Sequence, residues 1–330
     1  MSSSISSSDW RWFARRLIGT GLGLMASVYL FVLVIDPWNV LPLSPPLPRV
    51  PISTNARFSF PALARSPAFD SLVLGTSTAR LLRPAQLNLA FGGHFANLAM
   101  NSATAWEQMQ LLQLFLRTHP TPKTILIGLD GEYCGDTAPE TTPRPFPRWM
   151  YQGSPWAGYQ HMLTPYAVQE ATNQLTVMLG LQHRRYGPDG YTSFVPDDAL
   201  YDPARVDAAF ARWPALDNSP DTPGAPFALL ALHLLATGLS TVPRETRVVL
   251  FFAPYFVDRQ GRPGTRDAAR WAACKAAARQ LSPVIDLLVP SDVTRDRANY
   301  WDPLHYRVAI AARMVRVLAG EADPGLLPAP

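Results

Sequence analysis

Three side chains that together can make a nucleophile stand far apart in this 330-residue chain: Ser77, Asp302 and His305. A serine hydroxyl is a poor nucleophile at neutral pH. It needs a neutral imidazole to take its proton and a carboxylate to hold that imidazole in the right tautomer. Ser77 lies in Phe69 to Arg80, F-D-S-L-V-L-G-T-S-T-A-R, and the other two lie in N-Y-W-D-P-L-H-Y-R, Asn299 to Arg307. Asp302 and His305 are three residues apart, so a turn places both on one side. Each has a plainer reading by itself. Small Ser and Thr residues fill such turns for steric and capping reasons, and Asp302-Pro303 suits the start of a helix, with His305 a surface polar group.

The elements that must bring the three together read as α/β. Ser71 to Gly75 is a buried strand that meets a helix, with Ser77 at the strand's carboxyl end, the edge where open α/β sheets bind ligands. Phe95 to Met100 reads as a second strand. Ala105 to Arg117 is a helix with Leu111, Leu112, Leu114 and Phe115 on one face, and Thr124 to Leu129 is the continuous apolar run of a parallel strand. Arg247 to Pro254 and Val284 to Val289 add two more, with helices over Asp267 to Gln280 and Tyr306 to Leu318. Strand, helix, strand in this order predicts a three-layer α/β/α core with a mainly parallel sheet. Asp302 and His305 then emerge after the last strand, on the same edge as Ser77.

Four blocks give this pattern a family likeness. The G-T-S turn at Ser77 and the D-P-L-H at Asp302 to His305 resemble the first and last blocks of the SGNH/GDSL hydrolase superfamily. N-L-A-M-N-S-A-T, Asn97 to Thr104, is similar to the second, with Ser102 where the family has a glycine. I-G-L-D-G, Ile127 to Gly131, is similar to the third, with Asp130 where the family has an asparagine. The likeness covers residues 69 to 133 and 246 to 320 and implies a flavodoxin-like sheet, with Ser77 as nucleophile, His305 as proton shuttle and Asp302 as its orienter. It also implies an oxyanion site at Ser77, Ser102 and Asp130. The Asp130 departure has a consequence, because an ionised carboxylate aimed at a developing oxyanion repels it. Asp130 must therefore be turned away, protonated or used differently.

Leu17 to Ile35 carries no charge and is about long enough for a bilayer, which takes roughly 20 apolar residues. Arg11, Arg15 and Arg16 precede it, so the positive-inside tendency puts the N-terminus in the cytoplasm and the body outside. No A-x-A-like cleavage site follows, which favours a retained anchor. The expected layout is a cytoplasmic N-terminus over 1–16, a transmembrane anchor over 17–35 and a proline-rich tether over 36–68. An SGNH-like domain over 69–320 and a tail over 321–330 follow. Residues 131–241 read as a helical insertion, with helices over Ala167 to Leu181 and Ala225 to Leu239. Its aromatics include Trp149, Trp156 and Tyr159, candidates for stacking on sugar faces or for a small core of the insertion itself.

A net charge of +4 with no basic run excludes an extended nucleic-acid surface. No ligand spacing suggests a metal, and no cofactor is expected. Cys134 and Cys274 are the only cysteines, and either a disulfide or two free thiols fits the sequence. The expectation is therefore a single-pass inner-membrane protein with a periplasmic body, a serine esterase or O-acetyltransferase acting on an envelope or exported polysaccharide. Its anchored relatives by resemblance serve polysaccharide O-acetylation, as in alginate, and teichoic-acid D-alanylation. The alternative is a catalytically silent envelope protein that binds glycan or docks a membrane acyltransferase or glycan synthase.

Overall fold

The computed structural model describes residues 7–216, 219–221 and 226–327. The chain divides into two compact units, Met1–Ser53 with Arg148–Arg185, and Thr54–Pro147 with Tyr186–Pro330.

The first unit is built on one long helix, Ser7–Ile35, whose stretch Trp10–Ile35 is apolar enough to cross a membrane and is mostly exposed. Its length and composition suit a single-pass span or a signal sequence. The proline-rich residues after it form no helix up to Ser53, as the ring constraint dictates. They are nonetheless folded, which a tether is not. Asp36 is buried with φ +43° and accepts from the N–H groups of Val40 (3.1 Å) and Leu41 (3.0 Å) and from the Ser44 hydroxyl (2.8 Å). Arg49 donates to the free carbonyls of Ile35 (2.6 Å) and Val34 (3.1 Å), placing a cation at the helix's negative end. Trp38 Nε1 donates to Ser53, whose hydroxyl donates to Glu170 at 2.7 Å on the helix Pro165–Met178. The rest of the stretch read as tether is not linker either, because Ala56–Ala64 is a helix of the second unit, capped by Asn55.

The second unit carries a five-stranded, all-parallel sheet: β1 (Ser71–Leu74), β2 (Phe95–Asn97), β3 (Thr124–Leu129), β4 (Arg247–Phe252) and β5 (Val284–Asp286), in the order β2-β1-β3-β4-β5. After β1 the chain adds β2 on one side and then crosses to add β3 on the other. The β1–β3 boundary is therefore the point where loops leave in opposite directions and open a crevice at the carboxyl edge. β1 and β3 are buried throughout, which explains their unbroken apolar runs. The register pairs Leu74 with Ile127, and three residues further along each chain stand Ser77 and Asp130.

The insertion expected over 131–241 is split between the units. Arg148–Arg185 belongs to the first, while the helix Leu230–Leu239 packs on the helices Ala105–Thr118 and Arg266–Leu281 in the second. That helix buries Ala231, Leu232, Leu235 and Gly238 in the main core and leaves Leu230 exposed, so burial accounts for one face of its apolar sequence.

Candidate active site

Ser77 sits on a chain of tight turns and not on a helix N-terminus. Ala79 N donates to Thr76 O, Arg80 N to Ser77 O and Leu82 N to Ala79 O, and the next helix, Pro84–Phe91, starts only after Arg83. The expected direct strand-to-helix junction is thus a strand-to-turn junction. Gly75 makes the sharp exit possible: its φ is +144°, and an added Cβ would lie 2.6 Å from the Ala79 Cβ. The turn's carbonyls are gathered by one side chain, Asn97 at the end of β2, whose amide donates to Ala79 O (3.1 Å), Arg80 O (3.2 Å) and Leu82 O (2.8 Å). Asn97 is buried, so these bonds replace water that the turn cannot reach.

The other two residues arrive on the loop before the last helix, Val308–Ala319. Asp302 does not cap that helix, whose cap position is Arg307; it organises its own loop instead. One carboxylate oxygen accepts from the N–H groups of Leu304 (2.9 Å) and His305 (3.0 Å), and the other lies 2.7 Å from His305 Nδ1. His305 Nε2 lies 2.8 Å from Ser77 Oγ. The adjacent Tyr306 ties the two loops together by donating its buried phenol to Thr78 O. Phe194 meets the imidazole edge-on at 5.2 Å, limiting its swing. His305 and Asp302 are only 18% and 22% exposed, so the proton path is short and partly shielded. Burial opposes ionisation of Asp302; the hydrogen bond and charge of His305 with the two loop N–H groups outweigh it, holding the carboxyl below the ordinary range.

The oxyanion side is built differently. Beyond β2 the chain keeps bonding to the extension of β1, Leu98 N to Val73 O and Met100 N to Gly75 O, which carries Ser102 to the Ser77 cleft. Ser102 has φ +52°, the left-handed region that favours glycine. Its loop is held there by long side chains. Arg57 donates to Ser102 O (3.3 Å), Arg144 to Asn101 O (2.8 Å) and Arg80 to the Asn101 side chain (2.8 Å). Arg57 is itself fixed by a buried ion pair with Glu107, and Glu107 closes a capping box with Thr104 at the start of Ala105–Thr118. Among the described residues, the backbone N–H groups of Ser77 and Ser102 donate to no protein acceptor.

Asp130 follows β3 directly and is buried at the floor of the cleft. One of its oxygens accepts the Thr76 hydroxyl, the other the N–H of Glu132 at 3.0 Å. Burial is the main cause that raises its pKa to about 7, against the Thr76 bond, which lowers it. Near neutrality the carboxyl therefore stands at the balance point between neutral and charged.

No protein-family model matches the chain, and no curated protein matches its sequence.

The cleft around Ser77 has a volume of about 360 Å³. Its aromatic lining comes from Tyr255 and Trp271, and Glu132, Asp267, Arg259 and Arg270 supply charge. Trp149, Trp156 and Tyr159 all belong to the first unit. There Trp149 stacks on His161 and meets Trp38 edge-on, Trp156 stacks on Tyr159, and the Tyr159 hydroxyl accepts from Leu43 N.

Sequence reading missed Asn97 as the holder of the Ser77 turn, Phe194, and the Arg57–Glu107 pair. Only the pair had a local signal, the T-x-x-E of a capping box at Thr104 to Glu107. Cys134 and Cys274 form a disulfide, with Cα atoms 5.3 Å apart, that ties the loop carrying Asp130 to the helix Arg266–Leu281. Among the described residues no His, Cys, Asp and Glu cluster could hold a metal.

Proposed function

We propose that the protein is a membrane-anchored serine acyl esterase or O-acyltransferase, most simply for acetyl groups, with its body outside the cytoplasm and a cell-envelope or exported polysaccharide as substrate. The observation that carries this is the continuous hydrogen-bonded chain from Ser77 through His305 to Asp302, made by residues 228 positions apart at its first link. In the first half-reaction Ser77 Oγ bonds to the ester carbonyl carbon as its proton passes to His305 Nε2. The carbonyl electron pair moves onto oxygen, facing the N–H groups of Ser77 and Ser102. Collapse expels the alkoxide, which takes the proton from His305 and leaves Ser77 acylated. Water or a sugar hydroxyl then gives its proton to His305 and attacks the acyl carbon, and on collapse the Ser77 Oγ leaves and takes that proton back from Nε2. Asp302 keeps Nδ1 protonated throughout, so Nε2 is free to accept.

The parallel sheet with its switch point at β1 and β3 supports an SGNH-like, three-layer arrangement, since right-handed crossovers send the connecting helices to both faces. The disulfide supports an oxidising compartment. Arg11, Arg15 and Arg16 before the apolar stretch support a cytoplasmic N-terminus and an inner-membrane site. A fluorophosphonate probe is expected to label the wild-type protein and not Ser77→Ala; label that survives the substitution removes Ser77 as nucleophile.

One observation favours a second reading. The Asp130 carboxyl, ionised above neutral pH, sits in the cleft where an oxyanion would form. A silent glycan-binding or docking protein would tolerate that charge. Such a protein would retain oligosaccharide binding with no turnover, unaltered in His305→Ala.

A further inference from the structure

A second cavity of about 330 Å³ lies in the same unit, and it shares Leu216 and Arg259 with the Ser77 cleft. The two cavities also take consecutive residues of the catalytic loop, Pro303 in the second and Leu304 in the first. Pro303 is fixed by its carbonyl, which accepts from Phe256 N at 3.0 Å. The second cavity is walled by Phe210, Trp213 and Phe256 on its apolar side. Phe210 meets Phe256 edge-on at 5.0 Å with the Arg297 guanidinium over both rings (4.8 and 5.7 Å), which leaves half-buried Trp213 as the ring for stacking. Its polar side has Arg259, Arg262 and Arg297 with Asp207 and Asp258.

Arg259, common to both cavities, is held in place without being used up. Its Nη1 donates to Pro214 O at 2.7 Å and its guanidinium stands over the Trp213 ring, 5.5 Å from the centroid. Its Nε is buried and has no hydrogen-bond partner. Burial puts that atom out of a ligand's reach, so the contact to a sugar falls to Nη2, which among the described residues donates to no protein acceptor.

We infer that this cavity is a subsite for a sugar residue of the polysaccharide, stacked on Trp213 and hydrogen-bonded by Arg259, next to the position where the acyl group reacts at Ser77. The lining decides the chemical class. The Trp213 ring gives a flat apolar face, and charges of both signs give donors and acceptors together, which suits hydroxyls that are both. A phosphate would meet Asp207 and Asp258, and a lipid chain would have to desolvate five charged side chains. The inference rests on the Ser77 reading for the identity of the polymer, and the binding itself does not require catalysis.

The test is calorimetric titration of the full chain in detergent, in a Ser77→Ala background, with hexamers of β-1,4-glucose, β-1,3-glucose, β-1,4-mannose and β-1,4-N-acetylglucosamine. At least one hexamer is expected to bind with Kd of about 1 mM or tighter, the weak end of the affinity scale. Trp213→Ala is expected to weaken it by about tenfold or more, on the scale of one lost stacking contact, and Trp213→Phe to keep most of the affinity. Arg262→Ala, at an exposed position, is expected to weaken binding as well and decides the matter if Trp213→Ala does not fold. Absence of binding by all four hexamers, or binding that survives both Trp213→Ala and Arg262→Ala within twofold, overturns the subsite. Fluorophosphonate labelling of the wild type, read without glycan, separates the two claims. Label without sugar binding leaves the esterase and removes the subsite, and sugar binding without label does the reverse.

Discussion

The two sides of Ser77 are made on opposite principles. On the nucleophile wall every polar atom answers another: Asp302 takes two N–H groups and the imidazole, and the imidazole meets the hydroxyl. On the oxyanion wall two backbone N–H groups stand without a protein acceptor, and a carboxyl is buried close to neutrality. Completed bonds fix geometry before a substrate arrives, whereas unfilled donors gain their partner only as charge develops on the reacting carbonyl. On the proposed reading, loss of a residue on the first wall removes chemistry, while changes on the second tune it.

The comparison is broken most severely at the imidazole. His305→Ala is expected to lower ester turnover by about 10⁴-fold, and Asp302→Asn by a similar factor through the wrong tautomer, with p-nitrophenyl acetate as the assay. Losses of less than tenfold would deny the first wall its role. Next comes Arg57→Ala, which strands the buried Glu107 and should cost about 3–5 kcal/mol in urea unfolding.

Asp130→Asn sharpens the contrast through pH. In the wild type, turnover should fall as pH rises through about 7, because the carboxyl then ionises beside the developing oxyanion; the amide removes that limb. Folding gives the same sign. The folded-state pKa is raised, so the neutral form's stability is complete below the ordinary carboxylate range and is lost as pH rises toward about 7. The thermal midpoint of Asp130→Asn should consequently exceed that of wild type by more at pH 8 than at pH 5. A constant difference would mean that Asp130 does not titrate in this window. The smallest effect is Ser102→Gly, which relieves a left-handed backbone and should add about 1 kcal/mol with little change in turnover.

How much of this could be read in the sequence depended on range. The trio was legible because each member sits in a short block with its own local logic, and strand polarity put both blocks at one edge. The strands were legible for the same reason: β3 is six consecutive buried residues, and nothing polar interrupts it. Asn97 was not legible as a positioning residue, because its partners are three carbonyls 15 to 18 residues away. Arg57 was hidden more deeply, since a charged residue in an amphipathic stretch reads as solvated until Glu107 is found 50 residues on. The prolines over 37–51 did exclude a helix. They said nothing about burial, and Trp38 and Leu41 turned the stretch into packed structure. Aromatic richness is ambiguous in the same way, because stacking on sugar and stacking on His161 use identical residues.

The Cys134–Cys274 bridge closes a covalent ring whose ends are 140 residues apart. Everything from the loop after Cys134 to the helix Arg266–Leu281 lies inside it, Trp213 and Arg259 included. A protease that cuts once anywhere in that ring produces two pieces that still migrate as one until a thiol is added. The half that bears Ser77 and the half that bears His305 would then part only on reduction, so a nicked molecule can keep the two side chains in register.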